Sequence, residues 1–155
     1  MIMEYAREWP ADTDKGGETM IATIIDVATC MYDYEGWTDP VPCLAVEFNV
    51  PVRGKQSVQY YPAGSPKYCK PNSTGTRFIC GCGTNRFGGR HKSFGHRFML
   101  SLLKAGYSRH KLVAGDVTAL RGTVVELREE ITQRTTGRDR RVWLVDKIIT
   151  QSEDV

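Results

Sequence analysis

The 68 residues from Phe48 to Gly115 contain no aspartate and no glutamate. In a chain of 155 residues, a quarter of them charged, that absence is the sequence's most informative feature. It removes from the middle of the chain the carboxylates that a metal-dependent nuclease needs to hold its ions. Other absences narrow the field further. No stretch approaches the ~20 consecutive apolar residues of a membrane span. The N-terminus, MIMEYAREWPADTD, is acidic and lacks an apolar core, so a secretory signal is not expected. Five cysteines, an odd number, fit reduced thiols in a cytoplasm better than a closed disulfide framework.

The charge that is present is segregated. Residues 1–47 hold ten acids and two bases, a net −8. Residues 48–115 hold twelve Lys and Arg, a net +12, and residues 116–155 hold seven bases and eight acids. All three histidines, His91, His96 and His110, fall in the acid-free block. A solvated surface normally interleaves both signs. A block of one sign suits a polyanion, because each cation placed near a phosphate releases a condensed counterion.

The pattern predicts an acidic tail over 1–19, one domain over 20–150 with a basic, Gly-rich insertion at 62–92, and a short acidic end at 151–155. MIATIIDVATCMYD is β-branched and reads as a strand over 20–31. VPCLAVEFNV (41–50) alternates, with Leu44, Val46, Phe48 and Val50 on one face. QSVQYY (56–61) pairs with it as a hairpin, and TRFICG (76–81) is a short strand inside the insertion. SFGHRFMLSLLKAGY (93–107) is the one clear helix, with Ser93 as N-cap and Gly106 beyond its C-terminus. DVTALRGTVVELREEIT (116–132) reads as a strand kinked near Gly122, and VWLVDKIIT (142–150) as the last strand. The expected fold is mainly β with one helix, an OB-like five-stranded Greek-key barrel whose helix lies between strands three and four.

Three constellations bear on function. Basic residues alternate with aromatics from Tyr60 to Lys92, the two ingredients of a single-strand binder: cations track the phosphates and aromatic faces stack on bases. Arg77, Arg86, Arg90, Lys92, Arg134, Arg138 and Arg140 are the expected phosphate contacts; Tyr60, Phe87 and Trp143 are the expected stacking residues. Tyr61 and Phe78 are expected in the core. The aromatics Tyr32, Tyr34 and Trp37 share a loop with Asp33, Glu35 and Asp39, and read as cover for a barrel end. Second, Cys69, Cys80, Cys82 and His91, with His96 nearby, offer thiolate and imidazole to zinc. Their spacing lacks paired C-x2-C hooks, so reduced cysteines and no cofactor are the first expectation. Third, RFICGCGTNRFGGRHKS approaches a phosphate-binding loop, but Lys92-Ser93 comes three residues too late after Gly88. No enzymatic role is expected.

VPCLAVEF, QYYPAG, FMLSLLKAGY, GDVTALRGTVVEL and VWLVDKII together resemble phage-encoded OB-fold single-stranded-DNA-binding proteins over about residues 20–150. They are also similar to small phage proteins from replication and recombination clusters. The resemblance implies sequence-tolerant coating of single-stranded DNA, a replication or recombination protein as partner, and self-association. The competing expectation is a virion-structural or protein-interaction module that docks an acidic partner on the basic block. Proteins of the first kind often end in a long acidic tail; here the acidic tail is N-terminal. If it screens the basic surface, deleting residues 1–19 tightens DNA binding at low salt in an anisotropy titration, and unchanged affinity removes the screening role.

Overall fold

The computed structural model describes residues 19–34, 39–51, 55–80, 85–86, 88–90, 92–114, 116–133 and 139–151. The expected tail and acidic end lie almost wholly outside them. The protein is mainly β. Its principal sheet is antiparallel and five-stranded, built from β1 (Thr19–Tyr32), β2 (Val41–Val50), β3 (Lys55–Pro62), β7 (Val124–Gln133) and β8 (Asp139–Thr150). Their lateral order is β3-β2-β1-β7-β8, so the chain meanders through three strands, leaves, and returns beside the first. A second, three-stranded sheet holds β4 (Cys69–Pro71), β5 (Phe78–Cys80) and β6 (Asn85–Arg86). It lies in the expected insertion.

Alternation sets the faces. Leu44, Val46, Phe48 and Val50 of β2 are all buried, as their spacing predicts. In β1 the register shifts between Ile24 and Asp26. That extra residue lets Ile24 and Val27, three apart, both turn inward. Phe48, Trp143, Phe98 and Tyr61 form the aromatic centre, with Phe48 5.9 Å from Trp143 and Tyr61 4.7 Å from Phe98 between ring centroids.

Helix α1 (Phe94–Lys104) forms where expected. The Ser93 hydroxyl accepts the His96 N–H at 3.1 Å, and Gly106 takes φ +104° just past the end, where a side chain would be strained. Phe98 and Leu102, four apart, point into the core. A second helix, α2 (Arg109–Ala114), was not apparent in the sequence pattern. The expected strand over 116–132 is shorter. Val117–Leu120 form a 3-10 turn instead, capped by the Asp116 carboxylate on the Thr118 N–H at 2.9 Å. Val117 and Leu120 are buried, so their burial, not strand alternation, explains the apolar pattern there. Gly122, at φ +85°, then turns the chain into β7.

No backbone ladder joins the outer strands β3 and β8 among the described residues. Side chains span the gap. The Tyr61 hydroxyl donates to the Trp143 carbonyl at 2.7 Å. The Val145 N–H donates to the Ser101 hydroxyl of α1 at 3.0 Å, and Ser101 donates in turn to the Phe98 carbonyl. Both β8 groups are buried, so each bond satisfies a polar atom that water does not reach. Ser101→Ala or Tyr61→Phe is expected to lower unfolding free energy by about 1–3 kcal/mol, the cost of an orphaned buried group. Urea denaturation measures it, and a loss near zero for both would mean the gap is held by apolar packing alone.

Candidate nucleic-acid interface

The sequence-predicted residues separate into four groups. Arg77, Arg90, Lys92 and Tyr60 are described with their side chains. Arg86 and Arg140 lie in β6 and β8, with their side chains outside the description; Phe87, Arg134 and Arg138 lie outside the described residues altogether. Trp143 is a correction. It is 1% exposed, faces inward opposite Glu129, and packs near Phe48, so it is not available to stack on a base. Val142–Val145 are buried on both faces, and Leu144 lines one surface pocket with Leu100, Ser101 and Lys104 of α1.

Tyr60 and Tyr61 point to opposite faces of β3, as strand geometry requires. Tyr61 is core, and Tyr60 is half-buried on the outer face. The Tyr60 ring stacks on Tyr32 at 3.9 Å, with 25° between planes. Tyr34 meets Tyr32 edge-on at 4.7 Å, is almost fully buried, and donates its hydroxyl to the Tyr60 carbonyl at 3.3 Å. Tyr34 thus covers the sheet end, as expected, while Tyr32 joins Tyr60 in a two-ring platform. Burial raises the Tyr60 pKa, with Cys30, Tyr32 and Cys43 adding to the effect.

Tyr68 belongs to the basic and aromatic run of the sequence but is not among its expected stacking residues. It is 46% exposed. The Lys67 ammonium lies 5.3 Å from its ring centroid and the Arg90 guanidinium 5.1 Å. Local structure explains the meeting. Tyr68 and Cys69 both donate N–H to the Ser65 carbonyl, making a tight turn after β3. Arg90 is tied to the same segment by its N–H to the Ala63 carbonyl at 2.7 Å. That contact needs Gly89: a Cβ there would come within 2.3 Å of Ala63. Likewise, a Cβ on Gly88 would come within 2.3 Å of the Gly95 carbonyl. These two glycines therefore serve close backbone packing, and the buried Gly88 is not an open phosphate cradle.

Beside Arg90, Lys92, His96, Arg97 and Leu100 line a surface depression of about 320 Å³. Acids decide which cations remain available. Arg97 pairs with Glu130 at 2.6 Å, and Arg128 with Glu130 at 2.8 Å and Asp146 at 3.6 Å. Among the described residues no carboxylate pairs with Lys67, Arg90 or Lys92. The outer face of β1 and β2 is different at its other end. There Asp26 opposes Glu47, and Arg121 meets Asp26 at 2.6 Å. Asp26 and Glu47 make that stretch of the outer face acidic, whereas Lys67 and Arg90 beside Tyr68 have no acidic partner among the described residues.

Of the proposed zinc set, Cys69 is buried and sits opposite Cys80 in the β4–β5 ladder. Cys82 and His91 lie outside the described residues, and no group of three metal-ligating side chains occurs among the described ones. No described helix is long and apolar enough to cross a membrane. No protein-family model matches the chain, and no curated protein or solved structure matches it either.

Arg141, at the foot of the Arg-rich hairpin loop, is engaged inward. It pairs at 2.5 Å with Glu129, whose carboxylate is 2% exposed as a residue and has one oxygen without a hydrogen-bond partner. Burial raises the Glu129 pKa, and the Arg141 bond only partly opposes this. The folded chain therefore holds this proton more tightly than the unfolded chain does. Its contribution to stability is greatest below the ordinary glutamate pKa of about 4.3 and declines as pH rises through the elevated folded value. Glu129→Gln is expected to remove that decline. Urea midpoints measured from acid to neutral pH report it, and parallel pH profiles for both proteins would refute it.

Proposed function

We propose that this protein binds single-stranded DNA with little sequence preference, through one end of an OB-type Greek-key barrel. The strand order β3-β2-β1-β7-β8, with α1 between the third and fourth sheet strands, supports the barrel assignment. The observation that carries the function is Tyr68, an exposed ring flanked by two cations that have no acidic partner among the described residues; the Tyr32–Tyr60 stack offers a second aromatic surface. A base stacks on the ring while Lys67 and Arg90 meet the adjoining phosphates. Lys92 and the depression at the start of α1 continue the track. Arg77, Arg86, Arg134, Arg138 and Arg140 stay candidates for further phosphate contacts on their sequence alone. The setting that fits such coating is phage-type DNA replication or recombination. The reading assigns the protein no chemical step and no cofactor.

The test is an anisotropy titration with labelled dT30 across salt, against duplex of equal length. Tight single-strand binding with a steep salt slope, and weak duplex binding, is expected. Tyr68→Ala should cost about 1–3 kcal/mol of affinity without changing the salt slope. Arg90→Ala should lower that slope by about one and weaken all sequences alike. No binding to either nucleic acid at low salt would leave the acid-free surface as a docking site for an acidic protein.

A further inference from the structure

Four of the five cysteines, read from the sequence as reduced thiols, fall opposite one another in the ladders. Cys30 of β1 opposes Cys43 of β2, and Cys69 of β4 opposes Cys80 of β5. Directly opposed residues in an antiparallel pair have Cα atoms about 4.5–5.5 Å apart, inside the span a disulfide bridges. Cys30 and Cys43 are both thiols in this structure. Cys43 is wholly buried and Cys30 partly exposed, so one sulfur is open to a reagent and the other waits behind it.

The hydrogen-bond phase of the sheet defines what kind of bridge this position makes. The Ala63 N–H donates to the Pro42 carbonyl at 2.8 Å. Cys43 and Pro62 are therefore a non-hydrogen-bonded pair, and the amide and carbonyl of Cys43 point toward β1. Cys30 and Cys43 are consequently the wider, hydrogen-bonded type of pair. A disulfide there must draw the two Cβ atoms closer than the ladder holds them. Such a bond is under tension and readily reduced, which suits a reversible switch and not a permanent staple.

The pair also sits beneath the aromatic platform. The Tyr34 hydroxyl is 3.3 Å from the Cys43 sulfur and 3.3 Å from the Tyr60 carbonyl. Tyr34 braces Tyr32, which stacks on Tyr60 and lies two residues from Cys30 on the same strand. Moving the Cys43 sulfur toward Cys30 alters that Tyr34 contact, and narrowing β1 on β2 moves the base of Tyr32.

We propose that Cys30 and Cys43 form a reversible cross-strand disulfide by exchange with a low-molecular-weight disulfide, and that the bridge weakens single-strand binding by displacing the Tyr32–Tyr60 platform. The second half rests on the function proposed above. The chemistry balances. The Cys30 thiolate attacks the small disulfide, forming a mixed disulfide and releasing one thiol. The Cys43 thiolate then attacks the Cys30 sulfur and releases the second. Two protein thiols are oxidised, the small disulfide is reduced to two thiols, and the two protons end on the released thiols.

The full-length chain is incubated with oxidised glutathione, alkylated, digested and mapped by mass spectrometry. A peptide linking Cys30 to Cys43, lost on adding dithiothreitol, is expected. Alkylation of both thiols, a stable glutathione adduct on Cys30, or a Cys69–Cys80 bridge alone would overturn the proposal. Oxidised protein is expected to bind dT30 roughly tenfold more weakly than reduced protein, the order of one lost base stack, and dithiothreitol restores it. Cys30→Ser and, separately, Cys43→Ala should bind dT30 equally well before and after oxidation. Equal affinity of bridged and reduced protein would overturn the regulatory half. Reduced protein that binds no DNA would retire the functional reading and the regulatory half together, while the peptide map still decides the bridge.

Discussion

The structure depends on how the two outer strands of its main sheet are brought together without a ladder between them. An open sheet edge presents a row of backbone donors and acceptors that burial would leave unsatisfied. Here the Trp143 carbonyl and the Val145 N–H, on the same side of β8, are met by two side chains from different elements. Tyr61 reaches across from β3, and Ser101 comes from α1. The helix therefore fills the place where a ladder would otherwise run. With the edges held, Phe48, Phe98, Tyr61 and Trp143 enclose one aromatic core. The polar face of that interior includes the Glu129–Arg141 pair.

The same arrangement decides where charge reaches solvent. The C-terminal acids Glu129, Glu130 and Asp146 engage Arg97, Arg128 and Arg141 around β7, β8 and α1. Asp26 and Glu47 occupy one stretch of the outer sheet face. Lys67 and Arg90 flank the exposed Tyr68 ring after β3, and Lys92 shares its surface depression with the Glu130-paired Arg97. A chain with a modest net charge thus presents a locally cationic, aromatic-bearing end. The glycines at 88 and 89 make that end possible, because they let the insertion press against Ala63 and Gly95.

The aromatic platform and the thiol pair beneath it are physically one unit. Tyr34 contacts the Cys43 sulfur, the Tyr60 backbone and the Tyr32 ring together. A change in any of the three is transmitted to the others through close-packed contacts. The covalent state of two cysteines and the shape of a proposed stacking surface are thereby coupled over a few ångströms, without a remote conformational device.

Periodic patterns were legible because they report on burial at one element. The β2 alternation, the Phe98–Leu102 spacing, the Ser93 cap and the Gly106 terminus all follow from local geometry, and all appear as read. The segregation of charge was legible too, since it needs only a count. What failed locally failed for a tertiary reason. Trp143 stands in the unbroken apolar run Val142–Val145, where alternation cannot choose a face, and all four of these residues are buried. The apolar run 117–120 resembled a strand because burial of a 3-10 turn leaves the same trace. Tyr68 looked ordinary among basic residues, and only the Ala63–Arg90 contact, distant in sequence, places a guanidinium by its ring. Cys30 and Cys43 are thirteen positions apart and carried no signal of meeting. Strand and helix identity, set by neighbours along the chain, belonged to the sequence. Strand order, cross-strand register and the company each side chain keeps were decided by the tertiary structure, because they arise from residues brought together only when the sheet curls on its core.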